Sequence, residues 1–167
     1  MTETTSRLGL PLLYAAQAQK EMTHNEALTR IDMLLHAAVE AAGATVPPPD
    51  PQPGQCWIVG ADALEAWVGK ADHLAAWTPG GWRFAAPQHG MRVWCRQDAA
   101  DATFDGAVWQ TGIVSGQAFS TGGEQVVGPR LPPVASPSGG TMIDAEARVA
   151  LAAILDRLRH HGLIANG

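Results

Sequence analysis

The sequence is poor in charge, in cysteine and in aromatic residues other than tryptophan. The first two scarcities each argue against a class of protein. Charged residues make up 16% of the chain and the formal net charge is −5, so no basic excess is present to bind nucleic acid phosphates. The two cysteines, Cys56 and Cys95, form no C-x-x-C motif and are expected to be small buried apolar residues. We therefore expect no nucleic acid partner, no metal site and no cofactor.

Long apolar runs are also missing. No stretch approaches the ~20 apolar residues that span a bilayer, and the N-terminus lacks the basic and apolar regions of a secretory signal. The expectation is a protein that is made in the cytoplasm and does not insert into a membrane. Abundant instead are glycine (18), proline (12) and tryptophan (6), which suit short strands joined by tight turns.

The order of sequence patterns predicts an α+β fold. An apolar arm interrupted by Gly9 and Pro11 leads into a helix, which is expected to start at a capping box of Thr23 and Glu26 and to end at Gly43. Short apolar runs separated by glycine, aspartate and proline then predict a small antiparallel β unit rich in tryptophan. The predicted segments are an N-terminal arm and helix at 1–43, the β unit at 54–113, an extended glycine- and proline-rich connector at 114–140, and a C-terminal oligomerisation helix at 141–167.

Periodicity places the elements within these segments. The first helix carries one apolar stripe at a 3.6-residue period, made of Ala27, Leu28, Ile31, Leu34, Leu35, Ala38 and Ala42. Apolar runs predict strands at 55–59, 65–68, 74–77, 82–85, 91–95 and 107–113, and a further strand-like run at 124–127. Glycine, which tolerates a positive φ, marks hairpin turns at 78–81 and 105–106.

The segment from Gln17 to Leu28 is unusually dense in polar residues of different kinds. Because the capping box assigns Thr23 and Glu26 to the start of a helix, the other polar side chains are left for contact with another protein or a neighbouring subunit. The predicted docking residues, together with two from the arm, are Leu10, Pro11, Gln17, Gln19, Lys20, His24 and Asn25.

The six tryptophans all lie in the predicted β unit, several of them beside a glycine turn. Two interpretations remain open. The indoles either supply bulk to a core that is short of aliphatic side chains, or at least one of them is exposed and stacks on a sugar ring. The candidates for sugar stacking are Trp67, Trp77, Trp82 and Trp109.

The C-terminal helix is predicted to start near Thr141 or Asp144 and to be followed by Gly162. Its apolar residues follow the 4, 3, 4 spacing of a narrow a/d seam, formed by Ala147, Leu151, Ile154 and Leu158. Two heptads are marginally stable alone, so the helix either bundles with copies of itself or packs on its own chain.

No group of residues forms a recognisable catalytic site. The six histidines are scattered, and the adjacent pair at 160–161 suits a helix end better than a metal. Asp98, Asp101 and Asp105 only faintly resemble a calcium loop, since the alternating oxygen ligands and the final bidentate glutamate are missing. We expect a non-enzymatic protein; a hydrolase would need a cleft with coupled acid and base groups.

A family resemblance is carried by Leu10 and Pro11, Gln17-Ala-Gln-Lys-Glu21, Thr23-His-Asn-Glu-Ala-Leu28 and Asp32. These residues resemble a family of unknown biochemical function found in prophages and gene transfer agents of alphaproteobacteria, and the similarity extends to about residue 95. The pattern Val126-Val-Gly-Pro-Arg130, Gly139-Gly140, Ile143 to Arg148 and His161-Gly-Leu-Ile164 is similar to the C-terminal connector and helix of many fibre proteins.

The resemblance implies a structural virion protein on the surface of a phage or gene transfer agent head. Such a protein would be the oligomeric base or adaptor of a head spike or fibre, linking capsid protein to a distal receptor-binding spike or fibre protein. Closed cyclic symmetry is expected, as a homotrimer typical of fibres or as a homopentamer on a capsid vertex. The alternative is a carbohydrate-binding module for host surface polysaccharide, which requires at least two exposed and coplanar tryptophans.

Overall fold

The computed structural model describes residues 3–14, 20–127, 130, 132–134, 136, 144–160 and 163–164. The chain divides into two compact units, residues 1–113 and 114–167, and its fold is α+β. The helices are α1 (Lys20–Leu34), α2 (Ala145–His160) and a short 3-10 helix (Glu65–Trp67). The strands are β1 (Ala38–Val39), β2 (Ala42–Ala44), β3 (Cys56–Val59), β4 (Leu74–Thr78), β5 (Gly81–Ala85), β6 (Arg92–Cys95), β7 (Ala100–Phe104), β8 (Trp109–Thr111), β9 (Phe119–Thr121) and β10 (Glu124–Val127).

The first unit contains two four-stranded sheets, with the orders β2-β3-β4-β5 and β1-β6-β7-β8. Apart from the first strand of each, which is parallel to its neighbour, all pairs are antiparallel. The predicted turns at 78–81 and 105–106 connect β4 to β5 and β7 to β8. The run at 65–68, predicted as a strand, instead forms the 3-10 helix, and β7 was not predicted.

The first helix is shorter than its apolar stripe predicts. Helix α1 ends at Leu34, and His36 follows with a left-handed φ of 47°, a conformation that commonly terminates helices. Within residues 38–43, expected to belong to the helix, the chain instead forms β1 beside β6 and begins β2 beside β3. The prediction of a helix to Gly43 is therefore wrong, because a fully buried Val39 and the sheet hydrogen bonds override a periodic pattern of alanines.

The predicted capping box is also wrong. The described part of α1 begins at Lys20, so Thr23 and Glu26 lie within the helix rather than at its start. Glu26 instead forms ion pairs with Arg30, one turn along the helix, and with Arg83 of β5. Its side chain therefore contributes to the attachment of α1 to the sheet.

The main core lies between the two sheets. Strands β3 and β4 contribute one face and strands β1, β6 and β7 the other, and Met33 of α1 closes one side. Its fully or nearly fully buried members are Met33, Ala37, Val39, Cys56, Ile58, Leu74, Ala76, Val93, Cys95 and Ala102. Both cysteines are buried as predicted, and burial raises the pKa of the Cys56 thiol to about 12.

The second unit contains the β9–β10 hairpin and helix α2. Asp144 starts α2, since its carboxylate accepts a hydrogen bond of 2.9 Å from the backbone N–H of Ala147. This confirms one of the two predicted starting points. Thr141, Gly162 and residues 128, 129, 131, 135 and 137–140 of the predicted connector lie outside the described residues.

Candidate docking surfaces

The N-terminal segment is folded back onto α1 through the buried carboxylate of Asp32. That carboxylate accepts hydrogen bonds from the Thr5 hydroxyl at 2.7 Å and from the backbone N–H groups of Arg7 and Leu8 at 3.0 and 2.6 Å. Thr5 and Asp32 are the buried polar residues that the first unit is described to contain. The segment is thus a structured part of the fold, where the sequence suggested an arm.

The Arg7 side chain caps the C-terminal end of α1. Its guanidinium donates to the backbone carbonyls of Asp32, of Met33 at 3.3 Å, of Leu35 at 3.4 Å and of His36 at 2.9 Å. The carbonyls of Asp32 and Met33 belong to the last turn of α1, where carbonyls lack partners within the helix and carry the negative end of its dipole. We call Thr5, Arg7 and Asp32 the clasp.

The inner face of α1 is polar as well as apolar. Asn25 accepts a hydrogen bond from the N–H of Leu13 at 2.9 Å and donates one to its carbonyl at 3.0 Å. Glu26 bonds Arg83 at 3.0 Å, and the Arg83 guanidinium holds the pKa of Glu26 below its ordinary value. Hydrogen bonds and an ion pair therefore help to attach α1 to the rest of the first unit.

The outer face of α1 carries most of the apolar stripe that the sequence predicts. Such a stripe ordinarily faces a core, yet Ile31 is 47% exposed and Leu34 and Leu35 are 39% and 50% exposed. The exposed residues at helical spacing are Lys20, His24, Ala27, Ile31 and Leu34, followed by Leu35. We call these six residues the outer stripe.

The predicted docking residues fall into three groups. Lys20 and His24 are exposed on the outer stripe, and Pro11 is exposed on the clasped N-terminal segment. Leu10 is half-buried and Asn25 is already bonded to Leu13, so they present less to a partner. Gln17 and Gln19 lie outside the described residues.

Four tryptophans, Trp57, Trp67, Trp77 and Trp82, belong to a second cluster, whereas Trp109 packs against the main core. Trp57 and Trp67 are buried, and Trp82 contacts both with ring centroids 5.6 and 5.2 Å apart. Trp109 is half-buried; its indole N–H donates to the carbonyl of Asp72 at 2.9 Å. Trp67 is 0% exposed, so the prediction that it stacks on a sugar is wrong, because this small sheet uses indoles as core.

Trp77 and Trp82 border an open groove of about 610 Å³. Their ring centroids are 5.0 Å apart and their planes meet at 66°, so they are not coplanar. The residues lining this groove, which we call the tryptophan–proline groove, are Val46, Pro47, Pro48, Pro49, Asp50, Pro51, Glu65, Ala66, Trp77 and Trp82. Sequence reasoning identified the tryptophans but missed Asp50 and Glu65, because nothing in the sequence links a proline-rich run to a distant 3-10 helix.

The predicted seam of α2 is largely exposed. Leu151 and Ile154 are 49% and 51% exposed, Ala147 is exposed, and Leu158 is half-buried. Val149, on another face of the helix, is 71% exposed. The seam is therefore available for contact with another chain.

The three aspartates that faintly resemble a calcium loop each have a separate local partner. Asp98 accepts a hydrogen bond from the Cys95 thiol at 3.0 Å, and Asp101 pairs with Arg92 at 2.6 Å. The Asp105 carboxylate accepts hydrogen bonds from the backbone N–H groups of Val108 and Ala107 in the turn, and these bonds lower its pKa. Within the described residues, no three His, Cys, Asp or Glu side chains are grouped to hold a metal ion.

The described part of the chain contains the helices α1 and α2. There, neither helix has the length and apolar character needed to cross a bilayer.

Family comparison places the chain among proteins without an assigned function. A family model described as "Protein of unknown function (DUF2793)" matches residues 24–110, which is more than half of the chain, and the chain belongs to that family. The match covers most of α1, both sheets and the tryptophan–proline groove. None of the curated proteins matches the chain.

Proposed function

We propose that this protein is a non-enzymatic structural subunit of a phage or gene transfer agent particle. In this proposal it is the oligomeric base or adaptor of a head spike or fibre, and it links capsid protein to a distal receptor-binding component. The observation that carries the proposal is that both helices keep apolar stripes on the outside of the chain. The N-terminal resemblance described above supplies the particle context.

The outer stripe of α1 is suited to a permanent contact. Apolar side chains that line up on one exposed face commonly mark an interaction site. The clasp of Thr5, Arg7 and Asp32 fixes this helix, so a partner that covers Ile31, Leu34 and Leu35 would order little additional backbone. The outer stripe is therefore the proposed contact with capsid protein or a neighbouring subunit.

The seam of α2 is suited to self-association. A helix with this spacing gains stability when its seam is buried against equivalent helices around a symmetry axis. Closed assembly as a trimer or a pentamer would cover Leu151 and Ile154 in every copy.

Mass measurement of the purified protein tests the assembly. We expect the full chain to be an oligomer, and the Leu151→Glu, Ile154→Glu double variant and a chain without residues 141–167 to be monomers. Val149→Glu places one glutamate on the same helix away from the seam and should leave the mass unchanged. A wild-type chain that is monomeric at high concentration would contradict the proposal.

The particle role needs its own experiment. Particles assembled without this protein should have intact heads but lack the spike or fibre in electron micrographs, and their adsorption to cells should fall. Micrographs that show undiminished spikes would exclude a role as their base.

The alternative function is binding of host surface polysaccharide. With Trp67 buried, the tryptophans that could stack on a sugar are Trp77, Trp82 and Trp109. The planes of Trp77 and Trp82 meet at 66°, so these two indoles do not form the flat surface that such binding requires. The half-exposed indoles beside Asp50 and Glu65 are what still supports it. We therefore place it second.

A further inference from the structure

The tryptophan–proline groove combines aromatic walls with negative charge. Two half-exposed indoles and a run of prolines form its walls, and Asp50 and Glu65 are exposed beside them. Among the described residues, no lysine or arginine lines the groove. Within the described chain, neither carboxylate has a hydrogen bond or an ion pair, so both remain available to a positively charged ligand.

The shape of the groove favours a ridged ligand over a flat one. The indoles of Trp77 and Trp82 are in edge-to-face contact and their planes meet at 66°, so they present an angled surface and a flat sugar ring cannot stack on both of them. A polyproline II helix has three residues per turn and presents proline rings as ridges, which aromatic grooves recognise in other proteins. The volume of about 610 Å³ lies within the ~300–1,000 Å³ range of ligand sites.

The chain itself contains a segment with this chemistry. Residues 129–137 read Pro-Arg-Leu-Pro-Pro-Val-Ala-Ser-Pro, with Arg130 as the single charged residue. Within this segment Arg130, Pro132 and Pro133 are exposed. The carbonyl of Val134 accepts a hydrogen bond of 2.7 Å from Arg159 of α2, which holds the segment to the helix proposed to form the oligomer.

We propose that the tryptophan–proline groove binds the arginine-bearing proline segment, residues 129–137, of a neighbouring copy of this chain. At three residues per turn, Pro129 and Pro132 share one edge of a polyproline II helix, while Arg130 and Pro133 share the next. Proline rings pack against the angled surface of Trp77 and Trp82, and the Arg130 guanidinium donates to the carboxylates of Asp50 and Glu65. This inference rests on the proposed oligomeric function and names a second contact between its subunits.

Calorimetric titration of a synthetic peptide tests the groove. The peptide spans residues 127–138, and the receptor is the full chain carrying Arg130→Glu, which disables its own segment. We expect saturable one-site binding, at least about tenfold weaker when the peptide carries Arg130→Glu, because the charge-assisted hydrogen bonds are lost. A peptide carrying Ser136→Ala should bind unchanged.

Variants of the receptor locate the site. Asp50→Asn with Glu65→Gln should weaken binding about tenfold or more, and Asp62→Asn, another exposed carboxylate outside the groove, should have no effect. The inference is overturned if the peptide does not bind, or if it binds with the same affinity after Asp50 and Glu65 are substituted. Binding of an oligosaccharide at Trp77 and Trp82 without peptide binding also overturns it and assigns the groove to sugar.

The outcomes separate this inference from the proposed function. If the α2 seam controls the mass of the protein and the peptide does not bind, the groove inference fails and the oligomeric function stands. If the peptide binds through Asp50 and Glu65 but the full chain is monomeric, the groove recognises the segment and the proposed assembly fails.

Discussion

At the scale of single residues, Asp32 connects the N-terminal segment to the rest of the first unit. Both of its carboxylate oxygens accept hydrogen bonds from residues far away in sequence, and its exposure is 5%. A buried carboxylate is tolerated when donors satisfy it in this way, and it becomes costly when they do not. The orientation of Arg7, and hence the capping of α1, depends on the same contacts.

The first prediction concerns this carboxylate. Asp32→Asn keeps the shape of the side chain but replaces one acceptor oxygen with an NH₂ group that faces donors. We expect the free energy of unfolding to fall by about 2–3 kcal/mol, because a buried donor loses its partner and the charge is lost. Urea denaturation followed by circular dichroism measures it.

Asp62→Asn is the matched control, since Asp62 is exposed and the same atoms change. It should alter the unfolding free energy by no more than about 0.5 kcal/mol. Equal effects of the two substitutions would show that the Asp32 contacts add nothing to stability beyond surface charge.

At the scale of elements, the sequence predicted some pieces well because their signals are local. Helix α2 has a capping aspartate and a regular apolar period, and the β4–β5 hairpin has a glycine turn, so both were found, whereas of the β7–β8 hairpin the glycine turn was predicted but β7 was not. Strands β1 and β2 contain two and three residues, and nothing in an alanine-rich run distinguishes them from a continued helix. Only their long-range pairing with β6 and β3 decides the outcome.

The candidate surfaces were predictable to a similar degree. The apolar residues of the outer stripe and of the α2 seam stand out by spacing, although spacing alone does not say which stripe is buried. Asn25 looks like a docking residue in the sequence, and its bonds to Leu13 appear only in the fold. The clasp and the carboxylates of the groove depend on contacts between distant residues, for which a single sequence carries no signal.

The second prediction concerns the pairing of β2 with β3 at Gly60. A β-carbon added to this buried residue would lie 2.4 Å from the carbonyl oxygen of Gly43, so the two backbones would have to separate. We expect Gly60→Ala to reduce the free energy of unfolding by about 1–3 kcal/mol, the usual cost of overpacking. Thermal or urea unfolding measures the loss.

Gly80→Ala is the control for this substitution. There the nearest atom is the tip of the flexible Arg83 side chain at 3.2 Å, which can move aside. The expected change is within about 0.5 kcal/mol. A tolerated Gly60→Ala would mean that β2 is not held against β3 as closely as the register implies.

At the scale of the whole molecule, both buried clusters lie on the N-terminal side of the division at residue 113. The interlayer cluster and the tryptophan cluster draw all their buried residues from the stretch between Met33 and Ala102. Removing residues 114–167 therefore removes no described member of either cluster. The proposed oligomerisation seam, by contrast, lies entirely in the second unit.

The last prediction follows from this separation. A fragment of residues 1–113 should unfold in one cooperative transition by scanning calorimetry, within about 4 °C of the corresponding transition in the full chain. It should also be a monomer by mass, because it lacks the α2 seam.

A fragment of residues 1–99 provides the contrast. It loses β7 and β8, including the buried Ala102 and Phe104, and leaves one edge of β6 without its hydrogen-bonded partner, so no cooperative transition is expected. If the 1–113 fragment behaves like this shorter one, the first unit needs residues beyond 113 to fold. If the 1–113 fragment is folded but still oligomeric, the subunit contacts lie in the first unit, where the outer stripe of α1 is the surface to test next.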